Sequence, residues 1–197
     1  MTAPEAYARR AEEYAALLGS VEAMAPADAR RIESWAGTVC GPLLDLGCGP
    51  GHWTAHLTGL GHAVEGWDPV AEFVRIAQER HPGTAYRRAA LVDLEEHPAT
   101  WGGILAWYSL IHLEPAEMPG ALATLHRALR PGGTLLLGVF DGTRQEPFDH
   151  AVAPAQHWPV ARLVELMEGA GFDVADVETR RDPGARPHAA VHARSPH

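Results

Sequence analysis

One short segment constrains the fold of this chain more than any other. The apolar run Leu43-Leu44-Asp45-Leu46 passes directly into Gly47-Cys48-Gly49-Pro50-Gly51, and a helical stretch follows. This order predicts a buried strand, a tight turn and the start of a helix. Glycines allow positive φ and a close approach of a ligand, and a helix N-terminus leaves backbone N–H groups free. We therefore expect a small-molecule site where this strand ends.

Short apolar runs alternate with amphipathic stretches through most of the remaining chain. Further strands are predicted at Ala63 to Trp67, Thr84 to Arg88, Gly103 to Tyr108 and Thr134 to Phe140. One helix is predicted from about Pro119 to Leu129, before a turn at Pro131-Gly132-Gly133, and another from Pro159 to about Glu168. This alternation predicts βαβ units and a mostly parallel sheet with helices on both faces.

Two helices are predicted before the first strand. A helical period that ends near Gly19 is marked by Tyr7, Ala11, Tyr14 and Leu18. A second helix is predicted to begin at Pro26, to place Ile32 and Trp35 inward and to stop at Gly37. We interpret residues 1–41 as an N-terminal helical cap and residues 42–197 as the core of a single structural domain.

Two features are predicted near the carboxyl terminus. Residues Asp141 to His157 contain prolines and histidines and are expected to form a long irregular connection, which is a candidate cover for an active site. The runs Phe172 to Val177 and His188 to Ala193 are predicted to pair as a closing hairpin at the sheet edge. Together with the five earlier strands, this hairpin gives a seven-stranded sheet.

Composition and charge narrow the classes of function. A chain of 197 residues that is 46% hydrophobic suits one globular domain. A formal net charge of −9 disfavours a nucleic-acid partner. The charged amino terminus contains no apolar signal core and no later segment is long and apolar enough to span a membrane, so we expect a cytoplasmic monomer or homodimer without a membrane partner. Cys40 and Cys48 form no CxxC motif and are expected to be unpaired thiols.

The second predicted strand ends in an acid, Asp68. In nucleotide-binding α/β folds, an acid at this position accepts hydrogen bonds from ribose hydroxyls. A nicotinamide dehydrogenase would also use such a site, but its fingerprint requires G-x-G-x-x-G. The sequence instead reads Gly47-x-Gly49-x-x-His52, with a bulky ring where the third glycine is needed. Hydride transfer is therefore disfavoured.

These motifs resemble those of one protein family. LLDLGCGPG at 43–51 is similar to the first motif of class I S-adenosylmethionine-dependent methyltransferases, and EGWDP at 65–69 to their second. Leu105 to Leu113 and HRALRPGG at 126–133 resemble later segments. The resemblance, which runs from Tyr7 to Phe172, is greatest to small-molecule methyltransferases often found in actinobacteria. It implies a Rossmann-like fold, S-adenosylmethionine as cofactor, S-adenosylhomocysteine as product, and transfer to an O, N or C atom of a small-molecule acceptor.

The resemblance also implies individual cofactor contacts. Asp45 would orient the turn and the cofactor amino group, Gly47 and Gly49 would pass under the methionine moiety, and Asp68 would bind the ribose. Many relatives hold adenine with an acid after the third strand, but this chain has Ala89-Ala90-Leu91-Val92 there. The Leu91 backbone is the expected contact, with Asp93 a weaker substitute. The full expected set is Asp45, Gly47, Cys48, Gly49, Gly51, His52, Trp53, Asp68, Pro69, Leu91 and Trp107.

Methyl transfer from a sulfonium mainly requires alignment and exclusion of water, because the cofactor already supplies a good leaving group. His112 is the first candidate for a general base because it follows the fourth predicted strand, at the edge where ligands bind. A structural hydrogen bond in that loop is the alternative role. Tyr108 is a second catalytic candidate, and the rings of Trp107 and Tyr108 would attract the sulfonium. The residues expected to contact the acceptor are Tyr14, His150, His157 and Trp158.

One functional alternative stays open. A protein that binds the cofactor without transferring its methyl group would need the same contacts. No metal is expected, because the histidines form neither an HExxH pattern nor a compact cluster with Cys or Asp. The negative charge and the aromatic and histidine residues of the predicted lid favour an acceptor that is small, neutral or cationic, and partly apolar.

Overall fold

The computed structural model describes residues 1–196, and its centre is a single nine-stranded sheet. The strands are β1 (Leu43–Leu46), β2 (Val64–Asp68), β3 (Ala85–Arg88), β4 (Trp101–Trp107), β5 (Leu129–Asp141), β6 (Glu146–Phe148), β7 (Ala155–Trp158), β8 (Asp173–Arg180) and β9 (His188–Arg194). Five of them are parallel neighbours in the order β3-β2-β1-β4-β5. The order therefore reverses between β1 and β4, which confirms the predicted mostly parallel, Rossmann-like architecture.

Strand β5 organises the far half of the sheet. One edge pairs with β4, and the other pairs with antiparallel β9, which in turn pairs with β8. Beyond the end of β4, Phe140 and Asp141 pair with β7, to which β6 is joined in antiparallel. The closing hairpin is thus confirmed, with β8 as the edge strand. The predicted count of seven strands was two too low. Strand β5 extends beyond the end of β4, and its free edge there pairs with β7, which lies mostly within the stretch expected to be irregular.

Helices cover both faces of this sheet. They are α1 (Ala3–Arg9), α2 (Ala11–Leu18), α3 (Pro26–Ala36), α4 (His52–Gly59), α5 (Ala71–Arg80), α6 (Met118–Ala128) and α7 (Val160–Gly169), with 3-10 turns at Val21–Ala23 and Leu91–Glu96. None of the helices within residues 1–196 has the length and apolar character needed to cross a membrane.

Two apolar layers hold the helices to the sheet. Leu44 faces the layer that α6 and α7 complete, while the adjacent Leu43 faces the layer that α3 and α4 complete, as the alternation of side chains along a strand requires. Ile32 and Trp35 of α3 are buried in the second layer, as predicted, and the Trp35 indole donates to the Thr134 hydroxyl at 3.0 Å. Helix α3 therefore belongs to the sheet packing.

The predicted single N-terminal helix is two helices. Arg10 lies between α1 and α2 with φ −119° and ψ 14°. Its guanidinium bonds to Glu13 and to the carbonyl oxygen of Ala151, a residue distant in sequence. Ala11 and Ala15 then pack in a small apolar cluster with residues of α5. The prediction of one helix was wrong at Arg10 because a periodic pattern carries no information about this tertiary contact.

The turn predicted at Pro131-Gly132-Gly133 lies inside β5 as a bulge. Trp101 pairs with Leu129, whereas Gly103, two residues later, pairs with Thr134. The intervening residues of β5 leave the ladder and return to it. The strand therefore begins directly after α6, before the turn at which the sequence pattern placed its start.

Helix α4, which begins at the glycine turn, offers a matched test of this packing. Leu57 is fully buried in the layer beneath the sheet, whereas Leu60, three residues later, is 54% exposed. We expect Leu57→Ala to lower the free energy of unfolding by about 2–5 kcal/mol through lost burial and a residual cavity, and Leu60→Ala to change it by less than about 0.5 kcal/mol. Urea denaturation of both variants measures the difference. Equal effects would contradict the packing of α4.

Candidate functional site

Hydrogen bonds fasten the turn after β1 to the end of β2. The carbonyl oxygen of Trp67 accepts from the backbone N–H groups of Gly47 and Cys48, at 2.7 and 3.0 Å. The Asp68 carboxylate accepts from Gly49 N–H at 2.9 Å and from Val70 N–H at 2.8 Å. Burial raises the pKa of Asp68 to about 6, against the opposing effect of these two backbone donors. The acid predicted from the second strand therefore holds the turn in place.

Two glycines of the turn are required for different reasons. Gly47 has φ +73°, and a Cβ there would lie 2.4 Å from Cβ of Ser109, which follows β4. The ends of β1 and β4 therefore pack too closely for a side chain. Gly49 has φ +55°, with no neighbouring atom within 4 Å of an added Cβ. A side chain on Gly49 would be strained and would occupy space that the turn leaves open.

Asp45, at the third position of β1, makes its side-chain contact within the protein interior. It is buried, and the Thr54 hydroxyl on α4 donates to its carboxylate at 2.7 Å. Burial raises the pKa of Asp45 to about 7. Asp45 thus ties β1 to α4 behind the glycine turn, and its implied role in orienting the turn and the cofactor amino group stays a prediction. Cys48 is also buried, and burial raises its thiol pKa, so this thiol is not activated.

A cavity of about 800 Å³ opens beside the turn at the carboxyl edge of the sheet, where β1 and β4 diverge. This is the position at which open α/β sheets bind ligands. Nine residues singled out from the sequence line it: Tyr14, Gly47, Gly49, Asp68, Pro69, Trp107, Tyr108, His112 and His150. Residues from both ends of the chain thus meet at one cavity.

Other predicted site residues lie outside the cavity lining. Trp158 is fully buried in the core layer of α6 and α7, and the His157 ring packs on Phe148 with its Nδ1 directed at the Asp141 carbonyl oxygen. Both belong to β7, where strand pairing fixes their directions. The structure therefore does not bring them to the acceptor side of the cavity.

The remaining cofactor candidates pack around the turn or beyond it. Trp53 is buried under the sheet, and His52 lies beside it. Tyr86 donates its hydroxyl to the Gly51 carbonyl oxygen at 2.9 Å and fills the space where a Gly51 side chain would lie. Leu91 lines a separate small depression, and Asp93 accepts from Ala90 N–H at 2.7 Å. The large cavity is lined by none of the five candidates Gly51, His52, Trp53, Leu91 and Asp93.

Two helices and a loop border the cavity on the side away from the sheet. We use "the cover" for α1, α2 and residues 150–152, all of which contribute to the lining. Tyr7 and Tyr14 pack edge to face at 5.6 Å, and both lie against Phe73 of α5. The bond from Arg10 to the Ala151 carbonyl oxygen joins the helices to the loop. The cover is therefore one connected structure.

His112 joins the cover to the sheet. Its Nε2 lies 3.0 Å from the Tyr7 hydroxyl, and its Nδ1 lies 2.8 Å from the Pro154 carbonyl oxygen. Burial lowers the pKa of His112, against the opposing effect of the Pro154 carbonyl. The His150 ring lies 5.5 Å away, and its Nδ1 is buried without a partner in residues 1–196.

Tyr108 adopts an unusual backbone conformation at the end of β4. Its φ is +56°, a value that non-glycine residues seldom adopt and that is concentrated at functional sites. The Tyr108 hydroxyl bonds to Nδ1 of His188 on β9, and its ring lies 4.8 Å from that of Phe140. Burial raises the pKa of Tyr108. Its hydroxyl is thus committed to His188, while its ring borders the cavity.

Ser109, Tyr7 and Arg10 also line the cavity and were not among the site residues predicted from the sequence. Ser109 has a buried hydroxyl without a partner in residues 1–196, Tyr7 bonds to His112, and Arg10 joins the cover. Ser109 followed the fourth predicted strand more closely than His112 did, so the same positional signal indicated it. Tyr7 shared the predicted helical face of Tyr14, which was a signal for its position, but its contact with His112 was not predictable because the two residues are 105 positions apart. Arg10 carried no local signal, because its partner is 141 residues away.

Fold and cavity together define an α/β protein of the Rossmann-like class, with a cavity where the order of the parallel strands reverses. Residues 7–177 match the sequence profile of a family described as "Methyltransferase domain". The chain belongs to this methyltransferase family.

Individual relatives match parts of the chain. Malonyl-[acyl-carrier protein] O-methyltransferase of Pectobacterium atrosepticum is 31% identical over 106 residues, which are 53% of this chain and 41% of that protein. The mitochondrial ubiquinone biosynthesis O-methyltransferase of Rattus norvegicus is 32% identical over 110 residues, which are 52% of this chain and 31% of that protein. The chain therefore matches less than half the length of either relative.

One solved structure matches nearly the whole chain. The crystal structure of Burkholderia thailandensis 1,6-didemethyltoxoflavin-N1-methyltransferase contains 1,6-didemethyltoxoflavin and S-adenosylhomocysteine. Its TM-score to this chain is 0.81 at 24% sequence identity, with 98% of this chain and 87% of that chain covered. This likeness establishes the shared fold.

The buried carboxyl of Asp45 predicts a dependence of stability on pH. Its pKa in the folded protein, about 7, lies above the ordinary 3.8, so the folded state binds this proton more tightly than the unfolded state. The resulting stabilisation is complete below about pH 4 and is lost as the pH rises through about 7. Asp45→Asn keeps an acceptor for Thr54 but cannot ionise. Urea titrations at several pH values should show a smaller loss of stability between pH 4 and 7 in the variant, whereas parallel curves would exclude a raised pKa.

Proposed function

We propose that this protein is an S-adenosylmethionine-dependent methyltransferase that acts on a small-molecule acceptor. The observation that carries the proposal is the Asp68 carboxylate, which borders the cavity beside a glycine turn at the switch point of the sheet. Family membership supports the activity, and the likeness to a methyltransferase structure that contains S-adenosylhomocysteine supports the cofactor. We further propose a cytoplasmic monomer or homodimer without a nucleic-acid partner.

The residues around the cavity fit this cofactor. A carboxylate offers about four lone-pair directions, and two of those on Asp68 accept from Gly49 and Val70. The remaining two suit a pair of ribose hydroxyls. Ser109 adds a buried hydroxyl that lacks a partner in residues 1–196. A cavity of about 800 Å³ falls within the range of small-molecule sites.

The cofactor, when bound, supplies a methyl group on a sulfonium, which is a strong electrophile with a neutral leaving group. The protein must then hold the acceptor in line and exclude water. In this proposal Gly47 and Gly49 let the ligand approach the backbone, and the rings of Trp107 and Tyr108 favour a positive charge nearby. The N-terminal segment 1–41 contributes α1 and α2 as the helical cap, and His112 is the proton acceptor.

The cavity favours a neutral acceptor. Arg10 is the one basic residue, Lys or Arg, in its lining within residues 1–196, and Glu13 pairs with it at 2.8 Å. A carboxylate acceptor would therefore find no free cation. Aromatic rings of Tyr7, Tyr14 and Phe140 contribute to the wall. We propose a small, partly apolar acceptor, which Tyr14 and His150 contact. The relatives named as O-methyltransferases and the neighbour named as an N1-methyltransferase favour oxygen or nitrogen as the methylated atom.

Replacement of Asp68 tests the cofactor site. We expect Asp68→Ala to weaken S-adenosylmethionine and S-adenosylhomocysteine alike by about 1.5–3 kcal/mol, because hydrogen bonds to a charged acceptor are lost. Isothermal titration calorimetry measures both affinities. Glu65→Ala on the same strand is the control, since Glu65 is outside the cavity lining. Absence of binding to the unmodified protein at about 1 mM ligand would refute the proposed cofactor.

Replacement of His112 separates methyl transfer from binding. We expect His112→Asn to leave cofactor affinity nearly unchanged and to lower turnover by about 10²- to 10⁴-fold, the usual contribution of a general base. The assay follows radioactive methyl from S-adenosylmethionine into a panel of phenols, heterocyclic amines and carboxylic acids. Tight cofactor binding without any methylated product would instead favour a protein of this fold that binds without transferring.

A further inference from the structure

The hydrogen bonds of His112 determine which of its nitrogens carries the proton. The Pro154 carbonyl oxygen, 2.8 Å from Nδ1, can only accept, so Nδ1 must donate. In the neutral ring the other nitrogen, Nε2, is then an acceptor. The Tyr7 hydroxyl, 3.0 Å from Nε2, therefore donates to it. Both nitrogens of His112 are thus engaged, and no free nitrogen is left for an acceptor molecule.

Tyr7, unlike His112, can still accept a hydrogen bond from a molecule in the cavity. Its hydroxyl oxygen uses its proton toward His112 but keeps two lone pairs, and the residue lines the cavity. The ring is held by edge contacts to Tyr14, Phe73 and His112, at centroid distances of 5.6, 5.8 and 5.4 Å. These contacts fix the direction of the hydroxyl. Tyr7 can therefore receive a hydrogen bond from a molecule in the cavity while it donates to His112.

We infer that Tyr7 is the catalytic residue that contacts the reacting atom of the acceptor, and that His112 receives the proton through it. The inference rests on the proposed methyl transfer and deepens it. His112 then acts through Tyr7, and the Pro154 carbonyl oxygen holds the histidine in the required tautomer. The Tyr7 and His112 side chains, from α1 and from the loop after β4, form one proton path.

The proposed step balances in atoms and charge. The O–H or N–H proton of the acceptor moves to the Tyr7 oxygen as the Tyr7 proton moves to Nε2 of His112. The electron pair left on the acceptor atom forms the bond to the methyl carbon, and the methyl–sulfur bond breaks with its pair on sulfur. The positive charge passes from sulfur to the imidazolium. Burial raises the pKa of Tyr7, which disfavours a standing tyrosinate and requires the two proton movements to be coupled.

This path restricts the chemical class of the acceptor. The Tyr7 proton is committed to His112, so the reacting atom must itself donate a hydrogen bond to the Tyr7 oxygen. A hydroxyl or an N–H group satisfies this requirement, whereas a carboxylate or a tertiary amine does not. The proposed acceptor is therefore a small phenol-like or N–H heterocyclic molecule.

Other titratable groups border the same space. Glu13 and Tyr14 come from α2, Asp68 from β2, Tyr108 from the end of β4 and His150 from the late loop. Arg10 lies between α1 and α2, and Glu117 lies where α6 begins. His150 is the one whose ring contacts His112 directly. Since His150 is itself a histidine, the assignment of a pH effect to His112 requires His150→Gln as a comparison.

The first test needs no acceptor. Long-range ¹H–¹⁵N spectra of the 197-residue protein with bound S-adenosylhomocysteine should show neutral His112 with its proton on Nδ1. Tyr7→Phe should shift the Nε2 resonance, because it loses a hydrogen bond. A proton on Nε2 in the unmodified protein would overturn the inference. A failure to bind S-adenosylhomocysteine would instead refute the proposed function, so the two failures are distinguishable.

The second test compares rates and pH profiles for an acceptor found in the phenol and heterocycle panel. The unmodified protein should lose kcat/KM at acidic pH as His112 becomes protonated. Tyr7→Phe and His112→Asn should each lower kcat by about 10²- to 10⁴-fold and lose this acidic limb. Tyr14→Phe removes a hydroxyl from the same cavity without touching His112, and His150→Gln removes the neighbouring ring, so both should keep the limb.

The double variant tests whether the two residues act as one unit. Tyr7→Phe/His112→Asn should be no slower than the slower single variant, because each change already interrupts the same path. Losses that multiply would overturn the inference. So would a Tyr7→Phe variant that has a lowered Tm and a raised KM but an intact acidic limb, since a purely structural role predicts that result.

Discussion

The architecture of the site depends on one carboxylate, Asp68, which accepts backbone hydrogen bonds from Gly49 and Val70. These bonds join the turn after β1 to the end of β2, and Asp68 also lines the cavity. The interaction is costly, because the carboxylate is buried, and burial raises its pKa to about 6. A ligand that donates hydrogen bonds or carries positive charge would offset that cost. Burial of Asp68 therefore makes the site favour ligands that donate hydrogen bonds or carry positive charge.

The parts of the fold that depend on local pattern were predictable. The glycine turn, the mostly parallel sheet and the inward side chains of α3 follow from residue type and period alone. The break at Arg10 and the pairing of β7 did not follow, because each depends on a partner distant in sequence. Arg10 meets Ala151 in the cover, and β7 exists only because β5 extends past β4. Tertiary contacts of this kind leave no trace in a local pattern.

The same distinction applies to the site. Residues at strand ends, such as Gly47, Asp68 and His112, line the cavity because strand ends in a parallel sheet converge. Trp158 lies at the end of the late connection that was predicted to cover the site, but its side chain points from β7 into the core. Tyr7 shared only the predicted helical face of Tyr14, and the fold brings it to the site through helix packing on α5. Position in the sequence therefore predicted which residues lie near the cavity better than it predicted which side chains point into it.

The contact between Tyr7 and His112 links two requirements of the proposed methyl transfer, the exclusion of water and the removal of the acceptor proton. Helix α1 lines the cavity and would limit the access of water to it, and the proposed proton path exists only while the Tyr7 hydroxyl reaches Nε2 of His112. The two conditions are met by the same placement of the same helix. Displacement of α1 would expose the cavity to water and would break the contact between Tyr7 and His112, while His112 itself would stay in the loop after β4. The proposed proton path through Tyr7 is therefore confined to the state in which α1 shields the electrophile from water.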